Sequence, residues 1–158
     1  MGNVTVSDFL KNLRGVDIES LTDTIIKENH DQIVDLNRRD QILNRGVDAD
    51  GKTLGGYAKS TQSFYDDDVE LGIVNDFTGA DKSYNSSYNL FWTGKSYKGF
   101  KAWRDGLMLY ITTNARGIKL LIQNGGENIF GLTTKNDNIV NWKIIAPKLN
   151  EKIRNKLL

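Results

Sequence analysis

Cysteine is absent from this chain of 158 residues, which excludes disulfides, thiolate metal sites and a cysteine nucleophile. Histidine occurs once, at His30, and proline once, at Pro147. No apolar run approaches the ~18 residues that a membrane span requires. Charge of one sign is also missing: 21 basic and 20 acidic side chains argue for neither a nucleic-acid nor a membrane partner. The polar opening Met1-Gly2-Asn3-Val4-Thr5 does not read as a signal peptide. Val6 stands where a myristoylation signal wants Ser or Thr. Asn3-Val4-Thr5 and Asn85-Ser86-Ser87 match the glycosylation pattern, but without a secretory signal they carry little weight. The expectation is a cytosolically made, soluble protein.

What is present suffices for one packed domain. Hydrophobic residues make up 39% and charged residues 26%, and a chain of this length buries roughly two thirds of its unfolded surface. The expected fold is α+β over residues 1–158, in four parts. These are a helical part at 1–46, a loop-rich part at 47–89, an antiparallel sheet at 90–124 and C-terminal helices at 125–158.

The helical part opens with a short helix capped by Ser7 and closed by Gly15. A second helix starts at Asp17 or at the acidic capping box Ser20-Leu21-Thr22-Asp23. Ile18, Leu21, Ile25, Ile33, Leu36 and Leu43 then fall on one helical stripe that Asn29 and Asp40 interrupt. A continuous helix over 18–45 is about 42 Å long at 1.5 Å per residue, long enough to project from the body or to meet a neighbouring subunit.

Gly46-Val47-Asp48-Ala49-Asp50-Gly51-Lys52-Thr53 satisfies G-x-x-x-x-G-K-[ST], the phosphate-cradling pattern. That chemistry needs a buried strand before the first glycine and a helix opening at the lysine, so that backbone N–H groups face the anion. Neither flank fits. Asp40-Gln41-Ile42-Leu43-Asn44-Arg45 continues a helical period, and Leu54-Gly55-Gly56 is a poor helix start. Asp48 and Asp50 also present negative charge to any phosphate. The reading that explains more has Gly46 ending the helix as a left-handed cap and Asp48-Ala49-Asp50-Gly51 as a polar turn.

Residues 47–89 show little regular pattern and are expected to form a long central loop, of the kind that is functional or ordered by a partner. The acidic run Asp66-Asp67-Asp68-Val69-Glu70 supplies the oxygens that hard cations want. It lacks the alternate spacing and following glycine of a calcium loop, and reads as solvated. Three strand-like runs follow at 97–103, 107–112 and 118–123, with Arg104-Asp105-Gly106 and Asn114-Ala115-Arg116-Gly117 at the reversals. They predict a three-stranded antiparallel meander.

Beyond it, Ile129-Phe130-Gly131-Leu132 forms an apolar plug, and Thr133 or Thr134 caps a helix to about Ile145. Pro147 biases Ala146 away from helix and separates two helical pieces. The last carries Leu149, Ile153 and Leu157 on one side, with Lys148, Lys152, Arg154 and Lys156 on the other.

Two further sets carry residue types that sites use. His30 lies in a charged helical face, where no nearby Ser, Cys or His completes a nucleophile–base set, and reads as surface decoration. Lys95, Lys98, Lys101 and Arg104 interleave with Tyr97, Phe100 and Trp103, a mixture able to track a nucleic-acid backbone with stacking. A spacing of three fits neither one strand face nor one helix face, so aromatics inside and lysines outside is the plainer expectation. No catalytic, cofactor-binding or metal-binding residue is assigned.

The order of these motifs resembles that of small tailed-bacteriophage virion proteins of the neck and tail-completion type. The pattern runs from a long N-terminal helix into Gly46-Val47-Asp48-Ala49-Asp50-Gly51-Lys52, with Tyr57 and Ser60-Thr61 close behind. It continues through Leu90, Thr93 and Gly94 to Tyr97-Lys98-Gly99-Phe100, and closes with Ile129-Phe130-Gly131-Leu132-Thr133 and a C-terminal helix. Trp92 departs from it, standing where such proteins often carry an acidic residue. The resemblance spans about 41–158. It implies a non-enzymatic ring subunit of the virion, a head–tail connector or tail-completion protein assembled in the host cytoplasm. Its partners would be copies of itself and portal, neck or tail proteins, with non-specific contact to DNA and none to a membrane. The family offers no catalytic residues. The alternatives are a nucleotide-binding protein using residues 46–53 and a nucleic-acid-binding accessory protein.

Overall fold

The computed structural model describes residues 6–71, 85–86, 98–106, 108–114, 122–123 and 126–157. Helix α1 (Val6–Arg14) starts before Ser7, which therefore lies inside it. Asp17 is the cap of α2 (Ile18–Glu28): its carboxylate accepts the Ser20 N–H at 3.0 Å.

The helical span to Arg45 is present but is not one regular helix. It divides into α2, α3 (His30–Asp35) and a π-helical segment, Leu36–Arg45. The first break is at Asn29, whose backbone leaves helical geometry (φ −117°, ψ 19°). Its side-chain amide donates to the Ile25 carbonyl at 2.7 Å, the local competition that makes asparagine a poor interior residue. The π segment ends at Gly46, left-handed as expected (φ 58°, ψ 42°).

The expected central loop contains a helix, α4 (Lys59–Glu70), and the acidic run lies on it. Serine, threonine and three consecutive aspartates carry weak helix propensity, and sparse apolar residues hide the period. The sheet has two described strands, β1 (Phe100–Asp105) and β2 (Met108–Thr113), antiparallel with Trp103 opposite Tyr110. Asp105 pairs with Met108, so Arg104 and Asp105 belong to β1 rather than to the reversal, and Gly106 takes φ +56°. Most of the third strand expected at 118–123 lies outside the described residues, and Ile122 and Gln123 are helical.

A short 3₁₀ turn (Glu127–Phe130) leads to α5 (Thr134–Ile139), capped by Thr133, whose hydroxyl accepts the Asn136 N–H at 3.4 Å. A second π segment (Val140–Ile145) runs directly into α6 (Ala146–Leu157). Ala146 is helical (φ −58°, ψ −45°), contrary to the bias expected before Pro147. Pro147 therefore lies within a continuous helical run, and the π turn just before it is where the ladder changes phase around the missing N–H.

Two apolar clusters form the core. Val34, Ile42, Leu54, Phe100, Ile111 and Ile129 make one. Ile25, Ile26, Ile33, Val140 and Ile144 make the other. Adjacent residues Ile33 and Val34 enter different clusters, so α3 is the shared wall. Each fully buried isoleucine contributes about 2 kcal/mol relative to exposure.

Candidate functional site

The turn at 46–53 is closed on itself. Val47 pairs with Thr53, the Asp48 N–H donates to the Lys52 carbonyl at 2.9 Å, and the Asp48 carboxylate accepts the Lys52 N–H at 2.9 Å. The Gly51 N–H donates to the Asp48 carbonyl and the Ala49 N–H to the Asn128 carbonyl. The Lys52 ammonium and the Asn128 amide both reach Asp50. A π segment precedes the turn, and the following helix opens only at Lys59. The Asp48, Ala49, Gly51 and Lys52 amides, which a phosphate cradle would use, are thus spent on protein oxygens.

This turn is one side of an interlock with residues 126–136. A Cβ on Gly131 would stand 2.6 Å from Ala49 Cβ, so glycine is what permits the approach. Three fully buried amide side chains complete it. Asn37 donates to the Ile129 and Gly131 carbonyls at 2.9 and 2.8 Å. Gln41 donates to the Gly131 carbonyl at 2.9 Å and accepts the Thr133 N–H at 2.7 Å. Asn136 donates to the Leu36 carbonyl at 2.7 Å and the Asp40 carboxylate at 2.9 Å. The bond that widens each turn of a π-helix brings residues four and five apart onto one face, which puts Asn37, Gln41 and Ile42 on the inward side. Sequence reasoning missed these amides. The one signal was Asp40 interrupting the stripe, and the partners that give the amides meaning lie some 90 residues away.

His30 is more than decoration. Its Nε2 accepts the Ala102 N–H of β1 at 3.2 Å, and Nδ1 lies 3.1 Å from the Asp31 carboxylate. The ring therefore takes the tautomer protonated at Nδ1 and occupies a bonding position of β1. On α4, Asp66, Asp67 and Glu70 are exposed, and no group of three potential metal ligands occurs among the described residues.

Of the basic–aromatic set, Lys95 and Tyr97 lie outside the described residues, as do Leu90, Thr93 and Gly94. Strand alternation scatters the rest, as expected. Phe100 is buried, whereas Lys101 and Trp103 face outward, so Trp103 corrects the expectation that all these aromatics enter the core. Trp103 stacks on Tyr110 with ring centroids 5.6 Å apart and planes 17° from parallel. Arg104 turns inward and donates to Asp23 at 2.8 Å and to the Glu19 carbonyl at 3.1 Å. The hydrogen-bonded Asp23 carboxylate holds the guanidinium above its ordinary pKa, with Glu19 and Asp17 adding to it against some desolvation. Arg104 thus clamps the hairpin to α2 at the mouth of an open groove of about 520 Å³, lined by Ile18, Ile26, Leu109, Phe130, Val140 and Ile145.

The basic face expected on the last helix is partly engaged. Lys148 donates to Asn29 at 2.7 Å and Lys152 to Glu28 at 2.9 Å. Leu157 is buried on the opposite side, with Leu149 packed against the second cluster. No helix among the described residues is long and apolar enough to cross a membrane. No family model, curated protein or solved structure matches this chain.

Proposed function

We propose that this protein is a structural virion subunit of the tailed-phage neck or tail-completion type, acting through subunit interfaces rather than a reactive site. The observation that carries the reading is where large apolar side chains remain on the surface. Trp142 is 73% exposed, Leu71 73% and Phe64 65%, on elements separated in sequence. Single exposed apolar residues are ordinary. Solvent-facing tryptophan and phenylalanine on helices are instead the residue types that anchor interfaces. A subunit with two unlike anchoring faces suits a cyclic, head-to-tail assembly, in keeping with the order of motifs from 41 to 158. Quantitative mass spectrometry of purified particles of the encoding phage tests it. The chain should be present in a fixed multiple-copy ratio to the portal protein, and its absence from washed particles overturns the reading.

A second reading, a nucleic-acid-binding accessory protein, is favoured by one observation: Lys101 and the stacked Trp103–Tyr110 pair share the outward face of the hairpin. Salt-dependent retention on single-stranded DNA, lost in Trp103→Ala, would support it. The nucleotide-binding reading predicts a thermal shift with millimolar ATP and magnesium, against which stands the internal use of the Asp48, Ala49, Gly51 and Lys52 amides.

A further inference from the structure

We infer that α4 of one copy docks over Trp142 of the next, an asymmetric contact between two different patches of the same chain. This rests on the ring-subunit reading and names the surfaces that make the ring.

Phe64, Asp67 and Leu71 stand at i, i+3 and i+7 on one face of α4 and its last turn, all exposed, with Asp66 and Glu70 exposed beside them. None of these three carboxylates is in an ion pair among the described residues. Trp142 projects from the second π segment with Asn138 four residues before it and Lys135 seven before, and Lys143 follows directly. Both lysines are exposed and neither is ion-paired among the described residues. Asp137, five residues before Trp142, is exposed too but accepts the Asn141 amide at 3.0 Å. The un-ion-paired charges beside the two anchors are therefore opposite in sign: Asp66, Asp67 and Glu70 on α4, Lys135 and Lys143 beside Trp142. Complementary charge around a desolvated aromatic centre sets partner choice and register.

The helix itself points the same way. α4 has twelve residues of modest propensity and packs only marginally on the other described elements. Isolated helices of that length are marginal in water, so a surface that covers its Phe64 face stabilises it. The two patches are different, so each copy offers one to either side. Repetition then generates a closed ring or a filament rather than a dimer.

The absence of cysteine makes the test clean. Ser60→Cys and Asn138→Cys place exposed thiols one turn from Phe64 and Trp142 without touching either anchor. On oxidation the double variant should give a ladder of dimers, trimers and higher species, and each single variant none. Adding Trp142→Ala should reduce the ladder at least about tenfold, with far-UV circular dichroism unchanged. Lys143→Glu should do likewise, with recovery on adding Asp67→Lys. A double variant with no more cross-linking than the singles overturns the inference, as does a ladder indifferent to Trp142→Ala. Single variants that cross-link efficiently would show a symmetric contact and overturn it as well. Presence of the chain in particles without the ladder removes this contact alone, whereas a ladder from a chain absent from particles removes only the virion reading.

Discussion

The interlock between 36–54 and 126–136 and the exposed patches on α4 and around Trp142 are opposites in how they use their side chains. In the interlock, buried amides turn inward, and their N–H groups and the Gln41 oxygen are taken up by protein partners, chiefly backbone carbonyls and the Thr133 N–H, while the Asn37 and Asn136 oxygens are unpaired among the described residues. On the surface, large apolar groups face water, and Asp66, Asp67, Glu70, Lys135 and Lys143 beside them are in no ion pair among the described residues. The first arrangement holds one conformation together, because a buried donor that loses its partner costs more than the bond is worth. The second adds little to the monomer and gains only when something covers it. Mutations that damage stability and mutations that damage assembly should therefore separate by region.

The largest effect on stability is expected at Gln41. Gln41→Ala removes three bonds, to the Gly131 carbonyl, the Thr133 N–H and the Asn136 amide, and strands the buried Thr133 N–H, for a loss of about 3 kcal/mol in urea unfolding. A loss below ~1 kcal/mol would mean that the interlock is not the stabilising region. Next is Gly131→Ala, which pushes a methyl group against Ala49 and should cost about 2 kcal/mol. Ala49→Gly in the same chain should recover much of that. Additive effects in the double variant would show that the two segments do not meet as described.

His30→Ala deprives the Ala102 N–H of its acceptor and should cost ~1 kcal/mol, with faster hydrogen exchange confined to β1. Uniformly faster exchange would instead make the residue part of the global core. The smallest stability effects are expected where exposure is greatest. Trp142→Ala and Phe64→Ala should each stay within about 0.5 kcal/mol of the parent while reducing assembly. If either unfolded the chain as readily as Gln41→Ala, the contrast between the regions would collapse.

Much of the local structure was legible in the residues. Gly46 is the helix end that its type and position foretold, Asp17 and Thr133 are each one of two candidate caps, and Gly106 marks the hairpin. The closed turn after Gly46 was also legible, because two aspartates and an unsuitable flank argued against a phosphate cradle. Helix α4 was not legible, since its composition is that of a polar loop and its apolar residues are too sparse to show a period. His30 looks like a surface residue in the sequence because nothing near it there is its partner. Its acceptor role depends on β1, which begins 70 positions later.

What the sequence by itself determined are the features whose causes lie within about four residues: caps, left-handed glycines, tight turns and the one-sided stripe of the last helix. These follow from hydrogen bonds and steric limits that the immediate neighbours dictate. Only the tertiary structure decided which amides face inward, that the Asn29 break and the π segments divide the helices, and which aromatics stay outside. Each of those depends on a partner brought close by folding from far along the chain, and no periodicity records such a partner.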